Sequence, residues 1–371
     1  MTRSNKEIIC DFETSGTNHL QDQPLTFSAK VFQNGREVDH INTQCRMEKS
    51  RLPSPIALTI NQYPIQSLIQ SQSLRDMMVE INLFFAKHTP ATIIAHNASF
   101  DFNFAHSHYF QSLATDDWYQ WKHNNYVICG LELLRAIYLF KEKLSSIEIP
   151  NSRFAFPQFG LEAVSKKNGI FYQSHEAEGD VKSLRDLYGL MMNEAPDIVS
   201  LAHLCSNKQE AKRIINDSMF FCTSVGTGPS LKARTLVPLA LNGMGNAFIC
   251  VDISAAKSFE LNALSPWDIY LQCKNLQKNN CIFTIPLNKG KVFFTPEYYN
   301  FCWDSESSLS RQELFERAKK IRKNQYIKNA AREAWKHIEN LYGSGDGHLA
   351  SSIYSDGWCT PEERNFIHLF N

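Results

Sequence analysis

The chain has 371 residues, of which 43% are apolar, and its 38 basic and 38 acidic side chains cancel in net charge. This length predicts two or three domains with sizeable buried cores. No apolar stretch is long enough to span a membrane, and the first residues lack the apolar core of a signal peptide, which favours a cytoplasmic protein without membrane contact. The ten cysteines have no zinc-binding spacing, so we expect reduced thiols.

The neutral net charge hides a small asymmetry. The first 204 residues hold 18 Lys and Arg against 22 Asp and Glu, and the remainder holds 20 against 16. An acidic half that binds metal and a basic half that follows phosphates would be typical of a nuclease. The imbalance is small enough to arise by chance, so it does not decide the function by itself.

Strands and helices alternate through the first half of the chain. Hydrophobic periodicity predicts strands at residues 8–11, 25–32 and 91–95, and helices at 74–86, from 99 onward, at 131–140, 161–167 and 180–193. A loop is predicted at Pro53 and Pro55. This alternation predicts an α/β domain with a mixed sheet over residues 1–200.

The second half changes in character. Strands are predicted at residues 236–241 and 247–253 about a turn at 242–245, and a second hairpin is predicted from 281–285 and 291–294, giving a small β-rich domain at 205–300. Residues 310–342 have the spacing of one long helix or two shorter ones. They belong to a helical segment at 305–371, with a loop at 343–347 and a short helix from residue 361.

Two carboxylates lie at the end of the first predicted strand, in the sequence Asp11-Phe12-Glu13-Thr14. Side chains at positions i and i+2 of a strand lie on the same face. Their charges would repel unless a cation lay between them. A lone Asp-x-Glu is nevertheless common on protein surfaces, so this motif alone does not establish a site.

A second acidic motif, His96-Asn97-Ala98-Ser99-Phe100-Asp101, follows the predicted strand at 91–95. It places Asp101 in the first turn of a helix, where an aspartate is also favoured by the helix dipole. As an isolated residue, Asp101 is therefore more typical of helix stabilisation than of catalysis.

A third motif, His175-Glu176-Ala177-Glu178-Gly179-Asp180, opens the helix predicted at 180–193. This spacing leaves His175 on a loop while the helix carries Asp180. A lone histidine is more often structural than catalytic, and Glu176 and Glu178 are expected to be solvated.

The order and spacing of the three motifs resemble the DEDDh branch of the DEDD exonuclease superfamily. Residues 11–17, 23–29, 161–162 and 167–170 narrow the resemblance to the bacterial exonuclease I family. Looser similarity continues through residues 236–240, 251–252 and 353–358, so the resemblance covers nearly the whole chain.

This resemblance implies an RNase H-like exonuclease domain, a small SH3-like β domain and a helical C-terminal segment that is shorter than the family's. It implies that two Mg²⁺ ions, for which Mn²⁺ can substitute, are held by four carboxylates, with Glu13 also catalytic and His175 as general base. The implied metal ligands are Asp11, Glu13, Asp101 and Asp180. The implied contacts to the terminal nucleotide are Thr14, Gly16, Asn97 and Phe100.

The implied activity is 3′→5′ hydrolysis of single-stranded DNA to 5′-mononucleotides, by a monomer that acts in DNA repair and has single-strand-binding protein as a further partner. Two alternatives stay open. One is an exoribonuclease or a proofreading-type exonuclease of the same superfamily, because the contact that reads the 2′-hydroxyl cannot be placed. The other is a non-catalytic module that binds single strands, for which we would expect a lost carboxylate.

Besides its shorter C-terminal segment, the chain departs from the family pattern at two places. Gly160 stands where the family has an arginine that contacts DNA, and the stretch Cys129-Gly130-Leu131-Glu132 lacks one of the family's aspartates. Neither position is a metal ligand, so we expect catalysis to survive with a changed grip on the substrate. Residues 317–323 hold five cations, for which a contact with the nucleic-acid backbone and a solvated helix face are both open.

Overall fold

The computed structural model describes residues 6–61, 65–112, 123–141, 145–171, 177–255, 261–274, 280–297 and 309–342. The chain divides into two compact units. The first combines Met1–Leu131 with Phe159–Leu190, and the second combines Glu132–Gln158 with Met191–Ser344. Among the described residues, no helix has both the length and the apolar character that crossing a membrane requires.

A five-stranded mixed sheet lies in the first unit, in the order β3-β2-β1-β4-β5. Its strands are β1 Lys6–Thr14, β2 Pro24–Gln33, β3 Arg36–Gln44, β4 Thr92–Ala95 and β5 Tyr126–Cys129. Strand β2 is antiparallel to both β1 and β3, whereas β4 runs parallel to both β1 and β5. This is the predicted RNase H-like mixed sheet.

Twelve α-helices are present in the part of the chain that the structure describes. They are α1 Pro55–Asn61, α2 Ile65–Gln70, α3 Leu74–His88, α4 Ala98–Gln111, α5 Gly130–Lys141, α6 Leu161–Lys167, α7 Ala177–Glu194, α8 Pro196–Cys205, α9 Lys208–Asp217, α10 Pro266–Cys273, α11 Arg311–Lys323 and α12 Gln325–Tyr342. The helices predicted in the first half are confirmed as α3 to α7. The loop predicted at Pro55 is wrong, because this proline begins α1, where its fixed φ and missing N–H fit the first helical turn.

The core of the first unit forms where α3 packs on the sheet. The Phe12 and Phe27 ring centroids lie 4.5 Å apart, and those of Phe27 and Phe85 lie 5.9 Å apart. All three side chains are buried. Burying such a side chain stabilises the fold by about 1.5–3 kcal/mol, so this packing fixes β1 firmly.

A four-stranded antiparallel sheet, in the order β6-β7-β8-β9, lies in the second unit. Its strands are β6 Phe221–Val225, β7 Lys232–Leu241, β8 Ala247–Asp252 and β9 Ile282–Pro286. The hairpin predicted between β9 and residues 291–294 is wrong. Phe294 instead forms an isolated bridge with Cys222 of β6, because this places its ring in the core, 4.0 Å from that of Phe140.

Residues 310–342 form two helices, since Asn324 has an extended backbone between α11 and α12. Two of the five cations at 317–323 stabilise the fold of the second unit. Arg317 donates to the Ile253 carbonyl at 3.0 Å, and Arg322 donates to the Met219 carbonyl at 2.8 Å. The three lysines of the run are exposed. The loop and helix predicted after residue 342 lie outside the described residues.

Candidate active site

Asp11 and Glu13 lie near the carboxyl end of β1, on one face of the strand. The last pair that β1 forms with its parallel neighbour β4 is Ile9 with Ile94, so both carboxylates lie beyond the end of that pairing. The carboxyl ends of parallel strands are where α/β sheets place their sites. Both side chains are half-buried.

Asp101 lies in the first turn of α4, which begins just after β4. The residue is 3% exposed, and its Oδ1 accepts a hydrogen bond from the backbone N–H of Phe12 at 3.3 Å. Since Phe12 separates Asp11 from Glu13 in the chain, this bond fixes Asp101 beside the first motif.

Asp180 joins the cluster from the first turn of α7. One carboxylate oxygen of each of Asp11, Glu13 and Asp180 lies within 4.8 Å of the other two. The structure therefore brings acidic residues from all three sequence motifs to one place. Their oxygens are the kind of ligand that Mg²⁺, Mn²⁺ and Ca²⁺ prefer.

The electrostatics of this cluster disfavour its ionised form when no cation is bound. Burial raises the pKa of Asp11 well above its ordinary value, and the nearby charges of Asp101, Glu13 and Asp180 raise it further. Burial, with the charges of Asp180 and Asp101, raises the pKa of Glu13 to about 8. Burial also raises the pKa of Asp101 to about 7, against the opposing effect of the Phe12 hydrogen bond. A divalent cation would reverse these shifts by neutralising the repulsion.

A loop at residues 15–23 follows the first acidic motif and connects β1 with β2. The Thr14 hydroxyl donates to the Gly16 carbonyl at 2.6 Å, and the Ser15 N–H donates to the Gln23 carbonyl at 2.8 Å. A Cβ atom at Gly16 would collide with the Asp22 carboxylate. A larger residue at position 16 would therefore require the Asp22 side chain to move.

Arg51 and helix α4 stabilise this loop by donating hydrogen bonds to its backbone carbonyls. Nη1 of Arg51 donates to the Asp22 carbonyl at 2.7 Å, and the Ser107 hydroxyl of α4 donates to the His19 carbonyl at 2.8 Å. Nε2 of His108 lies 3.2 Å from Arg51 Nη1. Burial lowers the pKa of His108 to about 3, so the neutral ring can accept this hydrogen bond. Sequence reasoning missed these residues, which belong to no motif.

Helix α1 begins beside the same loop, because the Ser54 N–H donates to the Ser15 carbonyl at 2.7 Å. The helix leaves the apolar side chains of Ile56 and Ile60 exposed. Sequence reasoning also missed this surface. Its signal in the sequence is the short apolar run that follows Pro55.

The remaining predicted site residues differ in their surroundings. Asn97 is exposed and precedes α4, and its backbone carbonyl accepts a hydrogen bond from Phe100 N–H at 2.7 Å. Phe100 is half-buried, with its ring 4.9 Å from that of Phe104. His175 lies outside the described residues.

The two departures from the family pattern have ordinary structural roles. Gly160 is an exposed residue that precedes α6, and a Cβ atom built on it would meet no other atom within 4 Å. Cys129 is buried at the end of β5, and its thiol donates to the His96 carbonyl at 3.3 Å. Neither residue belongs to the acidic cluster.

Residues 8–188 match the family model described as Exonuclease, of the RNase T type. The crystal structure of E. coli exonuclease I in complex with a dT13 oligonucleotide is similar to this chain with a TM-score of 0.86 and 19% identity, over 99% of this chain and 80% of that one. A complex of exonuclease I with SSB-Ct has a TM-score of 0.83 at 19% identity, over 100% and 80% of the two chains. No curated protein sequence matches.

The family match includes all three acidic motifs, and the structural likeness extends through both compact units. At 19% identity the likeness establishes the fold, and the family match establishes the class of enzyme. Residues 8–188 are therefore an exonuclease domain, of the nuclease class of hydrolases, in a chain that has the fold of exonuclease I.

Proposed function

We propose that this enzyme removes nucleotides from the 3′ end of single-stranded DNA by metal-dependent hydrolysis and releases 5′-mononucleotides. One observation supports this proposal most strongly: carboxylate oxygens of Asp11, Glu13 and Asp180 lie within 4.8 Å of one another. Asp101 lies beside them, because it accepts a hydrogen bond from the backbone N–H of Phe12. The similar fold of exonuclease I in its complex with a dT13 oligonucleotide supports the choice of substrate.

The chemistry of the donor set fits hard divalent cations. The cluster offers carboxylate oxygens, and burial with mutual repulsion raises the pKa of both Asp11 and Glu13. Such an arrangement is favourable only when positive charge is added. We therefore assign Mg²⁺, in a two-ion site, to Asp11, Glu13, Asp101 and Asp180, with Mn²⁺ as a substitute. When bound, the ions would activate water and offset the negative charge that develops on the phosphate.

His175 is assigned as the general base from its place in the third motif. It accepts a proton from the attacking water, whose oxygen forms a bond to phosphorus while the bond from phosphorus to the 3′-oxygen breaks. The 3′-oxygen takes up a proton, and a 5′-mononucleotide leaves. An ordinary histidine pKa of about 6.5 suits this role near neutral pH.

The walls of the site would bind the terminal nucleotide. Thr14 ends β1 and Gly16 lies in the loop at residues 15–23, and backbone groups of both residues would contact the sugar of the terminal nucleotide. The half-buried ring of Phe100 and the exposed Ile56 offer apolar surface to a base, and Asn97 offers a polar side chain. Apolar stacking accepts any base, as a nuclease without sequence preference needs.

The alternatives have less support. A decayed module that only binds nucleic acid would be expected to have lost a carboxylate, and all four are present. An exoribonuclease or a proofreading-type exonuclease would share the acidic cluster. The structural likeness to exonuclease I in its complex with a dT13 oligonucleotide favours DNA as the substrate. The likeness to the complex of exonuclease I with SSB-Ct supports a single-strand-binding protein as a partner. We propose that the enzyme is monomeric and cytoplasmic.

A time course on 5′-labelled oligonucleotides tests the function. DNA and RNA strands of one sequence are incubated with Mg²⁺ or with a chelator, beside an Asp11→Asn variant whose folding is checked by circular dichroism. We expect stepwise shortening of the DNA from its 3′ end, only with Mg²⁺ and only with the unaltered enzyme. Faster shortening of the RNA strand would mean that RNA is the substrate. Binding without shortening of either strand would favour the non-catalytic module.

A further inference from the structure

A turn at residues 151–157 in the second unit presents an aromatic side chain to solvent. Phe154 is 67% exposed, although an exposed phenylalanine loses the stabilisation that burial gives. The guanidinium carbon of Arg153 lies 4.7 Å from the centre of the Phe154 ring. The Phe156 ring lies nearly parallel to that ring, at 11° and 6.2 Å between centroids.

The backbone of this turn is held in place by its own hydrogen bonds. The Ser152 N–H donates to the Phe156 carbonyl at 2.8 Å, and the Ala155 N–H donates to the Ser152 carbonyl at 2.9 Å. Ala155 has a φ of 60°, in the left-handed region that is unfavourable for a residue with a Cβ. Behind the tip, the position of a Cβ at Gly228 lies 3.6 Å from Phe156, so the backbone there packs against that ring. The backbone that carries the exposed Phe154 ring is therefore held by hydrogen bonds and by packing.

Three other arginines in the described residues lie over aromatic rings, and each has another partner. Arg185 pairs with Glu7, Arg234 pairs with Asp252, and Arg311 donates to a backbone carbonyl. Their rings are buried or half-buried. The Arg153 guanidinium, in contrast, has no ion pair or hydrogen bond with another residue that the structure describes, and its ring is exposed.

We propose that Arg153 and Phe154 bind one unpaired nucleotide of a single-stranded DNA substrate, with the base on the Phe154 ring and a neighbouring phosphate on the Arg153 guanidinium. An exposed aromatic ring stacks on any base, and an arginine without an acidic partner is free to bind phosphate. The pair would thus bind a nucleotide of any sequence in a single-stranded substrate. This inference rests on the proposed action on single-stranded DNA.

The test measures binding of the full chain to fluorescently labelled oligothymidylates of increasing length, by anisotropy in the presence of a chelator. Phe154→Ala and Phe154→Leu should weaken binding of the long strands by about tenfold, as expected for the loss of one base–aromatic contact. Phe154→Tyr, which keeps the ring, should bind as the unaltered chain does. Met244→Ala removes a comparably exposed apolar side chain from another turn and should change nothing.

Two further measurements guard against a folding defect and locate the base. Arg153→Ala should reduce the dependence of binding on salt by about one released counterion, which a merely structural role would not do. In the unaltered protein, 2-aminopurine placed along the strand should lose fluorescence at one position, and Phe154→Ala should restore it.

The outcomes separate this inference from the proposed function. Equal affinities for all the Phe154 variants, in an enzyme that shortens single-stranded DNA, would overturn the inference alone. Phe154-dependent binding without any hydrolysis would overturn the proposed function and support the nucleotide contact. A chain that does not bind single-stranded DNA would overturn both.

Discussion

Glu13 in the first unit and Glu132 in the second are both glutamates withdrawn from water, yet their pKa values shift in opposite directions. Burial raises the pKa of each. At Glu132 the positive charges of Lys291 and Arg135, at 3.0 and 2.6 Å, outweigh burial and lower the pKa. At Glu13 the neighbouring charges are those of Asp180 and Asp101, which add to the effect of burial, and the pKa of Glu13 rises to about 8.

This difference distinguishes an acid that stabilises the fold from one that we propose as a metal ligand. The second unit neutralises its buried glutamate with its own side chains, including the Ser224 hydroxyl at 2.9 Å. The first unit gathers several acids together, at an energetic cost that a bound cation would remove. The comparison therefore supports a metal site more strongly than the number of carboxylates does.

The largest effect is expected when an acid of the cluster is neutralised. Glu13→Gln should lower exonuclease activity by roughly 10³-fold or more, the scale of loss when one member of a catalytic unit is removed. Glu162→Gln is the matched control, because Glu162 is an exposed glutamate that pairs with Lys166 at 2.6 Å. Initial rates on a labelled single strand measure both. Comparable rates for the two variants would contradict the site assignment.

Removing the acid from the second unit should affect stability instead. Glu132→Ala removes the acid that pairs with both Lys291 and Arg135, and breaking such a buried pair costs about 3 kcal/mol or more. Denaturant unfolding monitored by circular dichroism measures the loss. Glu13→Gln should not destabilise the metal-free protein, because it removes repulsion. A destabilisation of similar size in both variants would remove the distinction between the two regions.

The pH dependence of stability provides a third test of the comparison. Since the folded pKa of Glu13 is about 8, above its ordinary 4.5, the stability that its protonated form contributes is present below pH 4.5 and is lost as the pH rises through 8. In chelator, the melting temperature of the unaltered protein should therefore fall between these values relative to that of Glu13→Gln. Mg²⁺ should remove the difference. Parallel curves in chelator would show that the folded protein does not raise the pKa of Glu13.

The positions of the acidic residues could be predicted because each follows a recognisable element. A strand that ends in Asp-x-Glu and two helices that begin with an aspartate are local patterns, and their order in the chain resembles one family. The loop support by Arg51, Ser107 and His108 could not be predicted in this way. These side chains meet through the packing of α4, and no spacing in the sequence records that contact.

Contacts between distant residues also limit how much of the fold could be predicted from the sequence. Strand β3 was missed because most of its residues are exposed and polar, so the apolar alternation that marks a strand is weak. Residues 291–294 have the composition of a strand, but burial of Phe293 and Phe294 determines where they lie. Composition indicates that a segment is buried, whereas the partner strand depends on contacts between distant residues.

The smallest effect is expected when a cation is added to the first unit rather than an acid removed. Gly160 has a φ of −62° and open space around its Cβ position, so Gly160→Arg should fold without strain. If that position faces the strand as in the family it resembles, the new guanidinium should tighten binding of single-stranded DNA by about fivefold and steepen its dependence on salt by about 0.7. Gly160→Gln, which adds length without charge, is the control. Equal affinities of the two variants in an anisotropy titration would mean that the substrate follows another path across this unit.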